Sequence, residues 1–279
     1  MADQRSQAER WVSFAAGVVT PVTLITALLF YFGYVSARSQ YEYFGIDVDT
    51  VGLSTRDYVM RSPQPLLVPL LVLTLVAVAG LLLHNAIHTR AGLVAVRRAR
   101  LVAIVVLTLG VLGLFLYPIL GGLAYYALVV PLVIGLAAAA LAYLSYLTTK
   151  LQELRPQVAL IALLAVVTMT CALWATATTA QYSGRGLAKS DAEHLDRFPV
   201  VILDTKERLQ LRSSGVEETA LRPGAGQTFN YRYRGMRLLI VGENRLFLVP
   251  QRWNASNTTL VVPLDESVRV QFQFQNDPP

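Results

Sequence analysis

The sequence carries little charge and almost no cysteine or histidine. Of its 279 residues, 15% are charged and 54% are hydrophobic, whereas soluble domains carry about 25% charged residues. The low charge argues against a simple soluble enzyme, and the high apolar content excludes a disordered chain. The single cysteine, Cys171, excludes an intramolecular disulfide and a cysteine-rich zinc site. Three histidines leave few residues for metal binding or acid–base catalysis.

Five apolar runs are each long enough to cross a bilayer. A spanning helix needs about 20 mostly apolar residues, and a helix satisfies its own backbone hydrogen bonds inside lipid. None of the runs has a charged residue or histidine in its interior, and none has the polar face that a helix of a soluble core would show. The sequence predicts a transmembrane domain over residues 11–180, with spans at residues 11–34, 64–83, 101–120, 123–147 and 157–180. Pro118 and the Gly121-Gly122 pair supply the turn between the third and fourth spans.

Basic residues are distributed unevenly among the predicted loops, and short loops rich in Arg and Lys stay in the cytoplasm. With five spans, one side of the membrane receives Arg5, Arg10, Arg90, Arg97, Arg98, Arg100, Lys150 and Arg155. The outer loop 35–63 contains only Arg38, Arg56 and Arg61. We therefore expect a cytoplasmic tail over residues 1–10, the N-terminus inside and the C-terminus outside. The net charge of +6 then sets orientation, and nucleic-acid binding is not expected because no binding motif surrounds the arginines.

The first span has the basic start of a signal peptide, and Val35-Ser36-Ala37 resembles a cleavage site. Its apolar run is longer than the 7–15 residues of a signal peptide, so we expect the span to be retained. Cleavage is the alternative, and it would leave the other spans unchanged.

The outer loop carries a helix-capping pattern. Ser54-Thr55-Arg56-Asp57 predicts a short helix over Thr55–Arg61, ended by Pro63 and lying on the membrane surface. Asp47 and Asp49 alternate as calcium ligands do, but the glycine and glutamate of a calcium loop are missing, which favours a solvated turn. The loop is aromatic and compact, so we expect it to pack against the outer domain.

Beyond Ala180 the composition changes to that of a soluble domain. Residues 181–279 hold 24 of the 42 charged residues of the chain, a normal density for such a domain. Residues 181–197 are predicted to form a linker, with a flexible joint at Gly184–Gly186. Ser190-Asp191-Ala192-Glu193 is a second capping pattern, which predicts a short helix ending near Arg197.

Residues 198–279 are predicted to form an extracytoplasmic β domain of about seven strands, an antiparallel barrel or sandwich. Three hairpins are expected, and residues 213–228 are expected to be a long loop. The hairpins pair 200–204 with 208–212, 237–241 with 245–249, and 259–263 with 268–274.

The predicted strand Phe229–Arg234 alternates aromatic and polar residues. Its aromatic side chains are expected to fill the core and its arginines to face water. A binding face of alternating tyrosine and arginine is the alternative. Trp253, in a predicted loop, either anchors a partner or folds back onto the domain.

Residues with catalytic chemistry are scarce. His84 and His88 are spaced i, i+4 at the end of the second span, where two imidazoles can share a metal. The glutamate of an HExxH motif is absent, so interfacial histidines are the simpler interpretation. His194 is expected at the surface, and Cys171 is expected to be inert within the fifth span. No phosphate-binding glycine-rich loop occurs in the inner loops, so we expect no cofactor.

Four segments together resemble a group of uncharacterised multi-pass membrane proteins from actinobacteria. They are Tyr43-Phe44-Gly45-Ile46, Leu53-Ser54-Thr55-Arg56-Asp57-Tyr58, Tyr233-Arg234-Gly235-Met236-Arg237-Leu238-Leu239 and Leu246-Phe247-Leu248-Val249-Pro250. The resemblance covers most of the chain. It implies a bacterial cytoplasmic membrane and brings with it no catalytic residue and no activity.

The sequence therefore predicts a bundle of five transmembrane helices with a small extracytoplasmic all-β domain. We expect a non-enzymatic membrane protein whose outer domain binds a partner protein or a component of the cell envelope. An oligomeric channel or small-solute permease is one alternative, although the spans lack the ionisable residues that coupled carriers use. A membrane enzyme with a metal at His84 and His88 is the other. The oligomeric state stays open.

Overall fold

The computed structural model describes residues 2–88, 93–123, 125–152, 157–211, 213–222, 226–254 and 256–273, and within them the side chains other than those of residues 2–21, 83, 86–88, 93 and 151. The helices are α1 (Ala2–Glu42), α2 (Val48–Val51), α3 (Thr55–Arg61), α4 (Pro63–His88), α5 (Leu93–Phe115), α6 (Tyr117–Leu120), α7 (Tyr126–Leu151) and α8 (Val158–Glu193). The strands are β1 (Val200–Thr205), β2 (Glu217–Ala220), β3 (Tyr231–Val241), β4 (Arg245–Pro250), β5 (Leu260–Pro263) and β6 (Val268–Gln273).

The chain divides into two compact units. The helical unit is Gln64–Ala180, and the sheet unit combines Met1–Pro63 with Gln181–Pro279. This division differs from the predicted boundary between a membrane domain and an outer domain, because α1, α2 and α3 belong with the sheet. Helix α8 contributes its first part to the helical unit and its last part to the sheet unit.

Five helices within the described residues are long and apolar enough to cross a membrane, which confirms the predicted number of long apolar helices. These apolar segments are Val22–Glu42, Pro63–Leu82, Val94–Phe115, Tyr126–Lys150 and Val158–Glu193. In the helical unit α5 and α7 pack closely around Ala103, Ala138 and Leu141. The turn between them lies near Gly121-Gly122, as predicted, but α5 ends at Phe115 and the short α6 follows.

Helix α1 is longer than the first predicted span. The predicted span ends at Tyr34 and the predicted outer loop begins at residue 35, whereas α1 continues to Glu42. Residues 35–42 contain no proline or glycine to stop a helix. Arg38 and Glu42 form an i, i+4 ion pair at 2.6 Å, which supports the polar last turns. Ser36 and Ala37 are buried within this helix.

Helix α8 runs unbroken through the segment that was predicted to be a flexible joint. It ends at Glu193, and a single 3₁₀ turn, Leu195–Arg197, follows, so the predicted separate helix from Ser190 is wrong. A glycine within a helix costs about 1 kcal/mol relative to alanine. Gly184 offsets that cost by letting α8 approach α1 closely, since a Cβ there would overlap the Ser36 carbonyl oxygen. Gln40 of α1 also donates to Asp191 of α8 at 2.8 Å.

The strands form one open antiparallel sheet with the order β5-β4-β3-β1-β6, and β2 also pairs with β3. The prediction of a barrel or sandwich is therefore wrong for the described residues. Met236, Leu246, Leu248 and Val201 are among the buried side chains of the sheet.

The strand boundaries and pairings differ from the prediction in several places. Strand β1 pairs with β3 and β6, so the predicted hairpin of 200–204 with 208–212 is wrong. Strand β3 spans eleven residues, joining two segments that were predicted separately. Its hairpin with β4 is confirmed.

The last predicted hairpin is also wrong, because its two strands lie at opposite edges of the sheet. Strand β5 pairs with β4, and β6 pairs with β1. The predicted long loop 213–228 contains the short strand β2.

The segment after α1 packs against the sheet, as expected. Ser54 and Asp57 form the predicted capping box of α3, and Asp47 caps α2 through the Asp49 backbone N–H, in keeping with a turn. Val48, Val51 and Phe44 are buried together with Phe247 and Val249 of β4. The loop, the end of α1 and the sheet thus share one hydrophobic core.

Candidate functional site

In the helical unit, His84 contacts an aromatic partner that the sequence did not reveal. Its Nδ1 lies 2.6 Å from the Tyr143 hydroxyl of α7, and the two rings meet edge to face. The side chain of His88 lies outside the described residues, so the proposed pairing of His84 with His88 is not described. Among the described residues no three His, Cys, Asp or Glu side chains form a group that could hold a metal.

The helical unit encloses an apolar cavity of about 310 Å³ between α4, α7 and α8. Pro69, Pro131 and Gly135 line it together with the buried Cys171. Thr168, Thr176 and Thr179 also reach the cavity, but each hydroxyl donates to a carbonyl four residues earlier in α8. The lining is therefore largely apolar, and it suits a hydrocarbon group better than an ion or a polar solute.

Threonine hydroxyls in apolar helices can bond to a neighbouring helix or to their own backbone. In the described helices they mostly bond to their own backbone, as Thr74 does to Leu70 and Thr108 does to Ile104. Thr178 also contacts a second helix, through the Ala127 carbonyl at 3.5 Å. Most of these hydroxyls thus do not link helices, because the i−4 carbonyl of the same helix lies within reach of a helical threonine.

In the sheet unit, Trp253 folds back onto the protein. Its ring lies 5.1 Å from the ring of Phe44, in an edge-to-face contact, and Thr259 donates to the Phe44 carbonyl at 2.6 Å. Of the two alternatives for Trp253, the structure therefore shows the packing one. A pocket of about 640 Å³ lies beside this contact, with Glu42 and Glu193 at its wall.

His194 sits between α8 and the 3₁₀ turn. Its Nδ1 lies 2.9 Å from the Ser190 carbonyl oxygen, so it takes part in a local backbone contact at the end of α8. This geometry fits a structural histidine.

The alternating segment of β3 combines a core residue with a charged one. Tyr233 is fully buried, which confirms the expectation that its aromatic side chain fills the core. Its hydroxyl accepts from the Leu209 backbone N–H at 2.7 Å and donates to Glu218 at 3.3 Å. Arg234 is exposed, as expected, but Arg232 is only partly exposed and forms an ion pair.

Three adjacent strands bring one carboxylate and two arginines together. Asp204 of β1 is fully buried, and it accepts two hydrogen bonds from Arg232 of β3, at 2.8 Å and 3.0 Å. Arg269 of β6 donates two more, from Nε at 3.0 Å and from Nη2 at 2.5 Å. The register places Arg232 and Arg269 directly opposite Asp204 on either side of β1. Paired hydrogen bonds from a guanidinium to a carboxylate are strong and directional.

The arginines hold Asp204 in its charged form. The hydrogen bonds from Arg232, reinforced by those from Arg269, lower the pKa of Asp204 below its ordinary value of 3.8, although burial opposes them. The pKa of Arg232 is raised, chiefly by the same hydrogen bonds. Asp204 and Arg232 therefore each stabilise the charged form of the other.

We call Asp204, Arg232 and Arg269 the ion triad. Its two arginines lie in the wall of a cleft of about 410 Å³, which we call the arginine cleft. Arg222, Arg232 and Arg269 line it together with Gln227, Thr228 and Phe229. The guanidinium of Arg269 lies 5.0 Å from the centre of the Phe229 ring, a cation–π distance. Such a cleft can accept an anionic group, since guanidinium groups match the oxygens of phosphates and carboxylates.

The arginine cleft was missed at the level of sequence. Asp204 directly follows the apolar run Val200–Leu203. A charged residue next to such a run in a predicted strand is the signal that could have pointed to a buried, paired carboxylate. The partners come from strands whose pairing the sequence did not predict. Comparison of the chain with protein-family models, with curated proteins and with solved structures finds no match.

Proposed function

We propose that this chain is an integral protein of a bacterial cytoplasmic membrane, with its N-terminus inside and its sheet outside. The five apolar helices support the proposal. Large apolar side chains on α4 are widely exposed, for example Leu67 at 65% and Leu81 at 66%. Lipid would cover such surfaces, whereas in water exposed apolar surfaces of this extent would promote aggregation.

We further propose that the sheet unit is the binding part of the protein and recognises a partner protein or a component of the cell envelope. The observation that carries this proposal is the arginine cleft, a charged concavity on an otherwise well-packed sheet. The five predicted spans, in contrast, carry no charged residue or histidine in their interiors. Enzymatic activity is not part of the proposal.

An oligomeric channel or permease is the second candidate, and the apolar cavity of the helical unit is the feature that favours it. That support is weaker, because the threonine hydroxyls at the cavity are bonded within α8 and offer little to a polar solute. A flux of solute into vesicles that contain the purified protein would favour this candidate over the binding role.

The orientation is tested by labelling engineered cysteines. Because Cys171 is the single cysteine, Cys171→Ser gives a background for Glu266→Cys in the sheet unit and Gln152→Cys after α7, both at exposed positions. A membrane-impermeant maleimide added to intact spheroplasts is expected to label Glu266→Cys, while Gln152→Cys reacts only after lysis. The reverse pattern, or equal labelling of both in intact spheroplasts, would contradict the proposed topology.

The binding role is tested by photo-crosslinking in intact cells. A benzoylphenylalanine residue at the exposed position Gln227, in the arginine cleft, is expected to give a light-dependent adduct with an outer component, identified by mass spectrometry. The same residue at Gln152 is the matched control and is expected to give no such adduct. If neither Gln227 nor other exposed positions of the sheet unit yield an adduct above that control, the proposed binding role fails.

A further inference from the structure

Two arginines of the cleft are held in place with most of their hydrogen-bond donors unused. A guanidinium carries five N–H groups, and Asp204 accepts from only the Nε and Nη2 atoms of Arg232 and Arg269. Within the described residues, their Nη1 groups make no hydrogen bond. Because the ion triad already fixes both side chains, a ligand would not have to order them, which lowers the cost of binding.

The third arginine of the cleft adds charge that the protein does not neutralise nearby. The side chain of Arg222 is exposed, and within the described residues it forms no ion pair. Among the residues that the structure describes, Asp204 is the one carboxylate that forms an ion pair with an arginine of the cleft, so three positive charges line the cleft beside one negative charge and a net charge of +2 remains. A phosphate monoester carries about −1.5 to −2 at pH 7, which is the complementary charge.

The size and the wall of the cleft indicate a ligand larger than a free ion. Its volume of about 410 Å³ falls in the range of about 300–1,000 Å³ that small-molecule sites occupy. The half-buried ring of Phe229 provides an apolar surface beside the guanidinium groups. We propose that the arginine cleft binds the phosphate monoester group of a glycerol phosphate or similar ligand, with Arg222, Arg232 and Arg269 as its donors.

This inference rests on the proposed binding role of the sheet unit and names the chemistry of its ligand. The same group occurs in a soluble glycerol phosphate and in the headgroup of phosphatidic acid. Both sources present a terminal phosphate on a short polar stem, which fits the cleft in the same way. The experiment must therefore offer the group in both forms.

The test is a calorimetric titration of the full-length protein in dodecyl maltoside with glycerol 3-phosphate, with glycerol as the uncharged control. Saturable binding is expected for glycerol 3-phosphate alone. Arg222→Ala is expected to weaken it at least about tenfold, which corresponds to about 1.4 kcal/mol. Since the exposed Arg222 side chain forms no hydrogen bond or ion pair within the described residues, the variant should fold normally. Arg252→Ala removes an exposed positive charge outside the cleft and is expected to change the affinity by less than about twofold.

A second arm repeats the titration in nanodiscs that contain phosphatidic acid or only phosphatidylcholine. Weaker binding of glycerol 3-phosphate in the phosphatidic acid discs would identify the lipid headgroup as the source, whereas equal binding in both would identify a soluble ligand. The inference is overturned if no saturable binding occurs in detergent or in nanodiscs, or if Arg222→Ala and Arg252→Ala weaken binding equally. In that case an adduct at Gln227 would still support the binding role, and the absence of both would remove the two proposals together.

Discussion

Replacing Gly184 with alanine is expected to destabilise the protein by about 3 kcal/mol or more, at the upper end of what overpacking costs. The added Cβ would overlap the backbone carbonyl oxygen of Ser36, and a backbone atom cannot move aside as a flexible side chain can. Helices α1 and α8 would have to separate where Ala37 and Ala188 are buried. Thermal unfolding of the purified protein in detergent, followed by circular dichroism, measures the loss.

Gly186 provides the matched control two residues further along the same helix. A Cβ added there meets no atom within 4 Å, so Gly186→Ala is expected to stabilise α8 slightly, by about 0.5–1 kcal/mol. The two variants make the same chemical change in the same helix and differ in what the methyl group meets. Equal unfolding temperatures for the two would show that α1 and α8 do not approach each other at Gly184.

This glycine pair also shows how far the sequence could predict the helices. The five long apolar helices could be predicted from long uncharged runs, because a run of that length and composition is typical of a helix that satisfies its own backbone in lipid. The ends of the helices did not follow in the same way. The segment Ser183-Gly184-Arg185-Gly186 has the glycines that normally favour a joint. In α8 the decisive interaction is the close approach of Gly184 to Ser36 on another helix, and local sequence patterns do not reveal contacts between distant segments.

The sheet shows the same limit more strongly. Local alternation predicted most of the strands, and the hairpin of β3 with β4 followed from its short turn. The pairing of β1 with both β3 and β6 joins segments that are far apart in the chain. Since Asp204, Arg232 and Arg269 lie on these three strands, no spacing in the sequence could reveal the ion triad. The candidate site was therefore unpredictable although each of its strands was predicted at least in part.

Replacing Asp204 with asparagine is expected to destabilise the sheet unit by about 3 kcal/mol, near the lower end of the cost of removing one partner from a buried ion pair. The amide has nearly the same shape as the carboxylate, but it leaves Arg232 and Arg269 without a counterion. The cost stays below the upper end of the range because both guanidinium groups are partly exposed to water. Asp265→Asn, at an exposed carboxylate between β5 and β6, is the matched control and is expected to cost much less.

The pH dependence of the unfolding free energy shows whether Asp204→Asn destabilises the protein by removing a charge or by disturbing its packing. Because the pKa of Asp204 is lower in the folded protein than its ordinary value of 3.8, the folded state favours the carboxylate. Its contribution to stability is fully present above the pKa of the unfolded chain and is lost as the pH falls through the pKa of the folded protein. The difference in unfolding free energy between the unaltered protein and Asp204→Asn is therefore expected to shrink as the pH falls from about 6 to about 3. The contributions of the other carboxylates to the unfolding free energy are the same in both proteins and therefore largely cancel in the difference. A difference that stayed constant over this range would mean that the amide disturbs packing and that the charge of Asp204 contributes little.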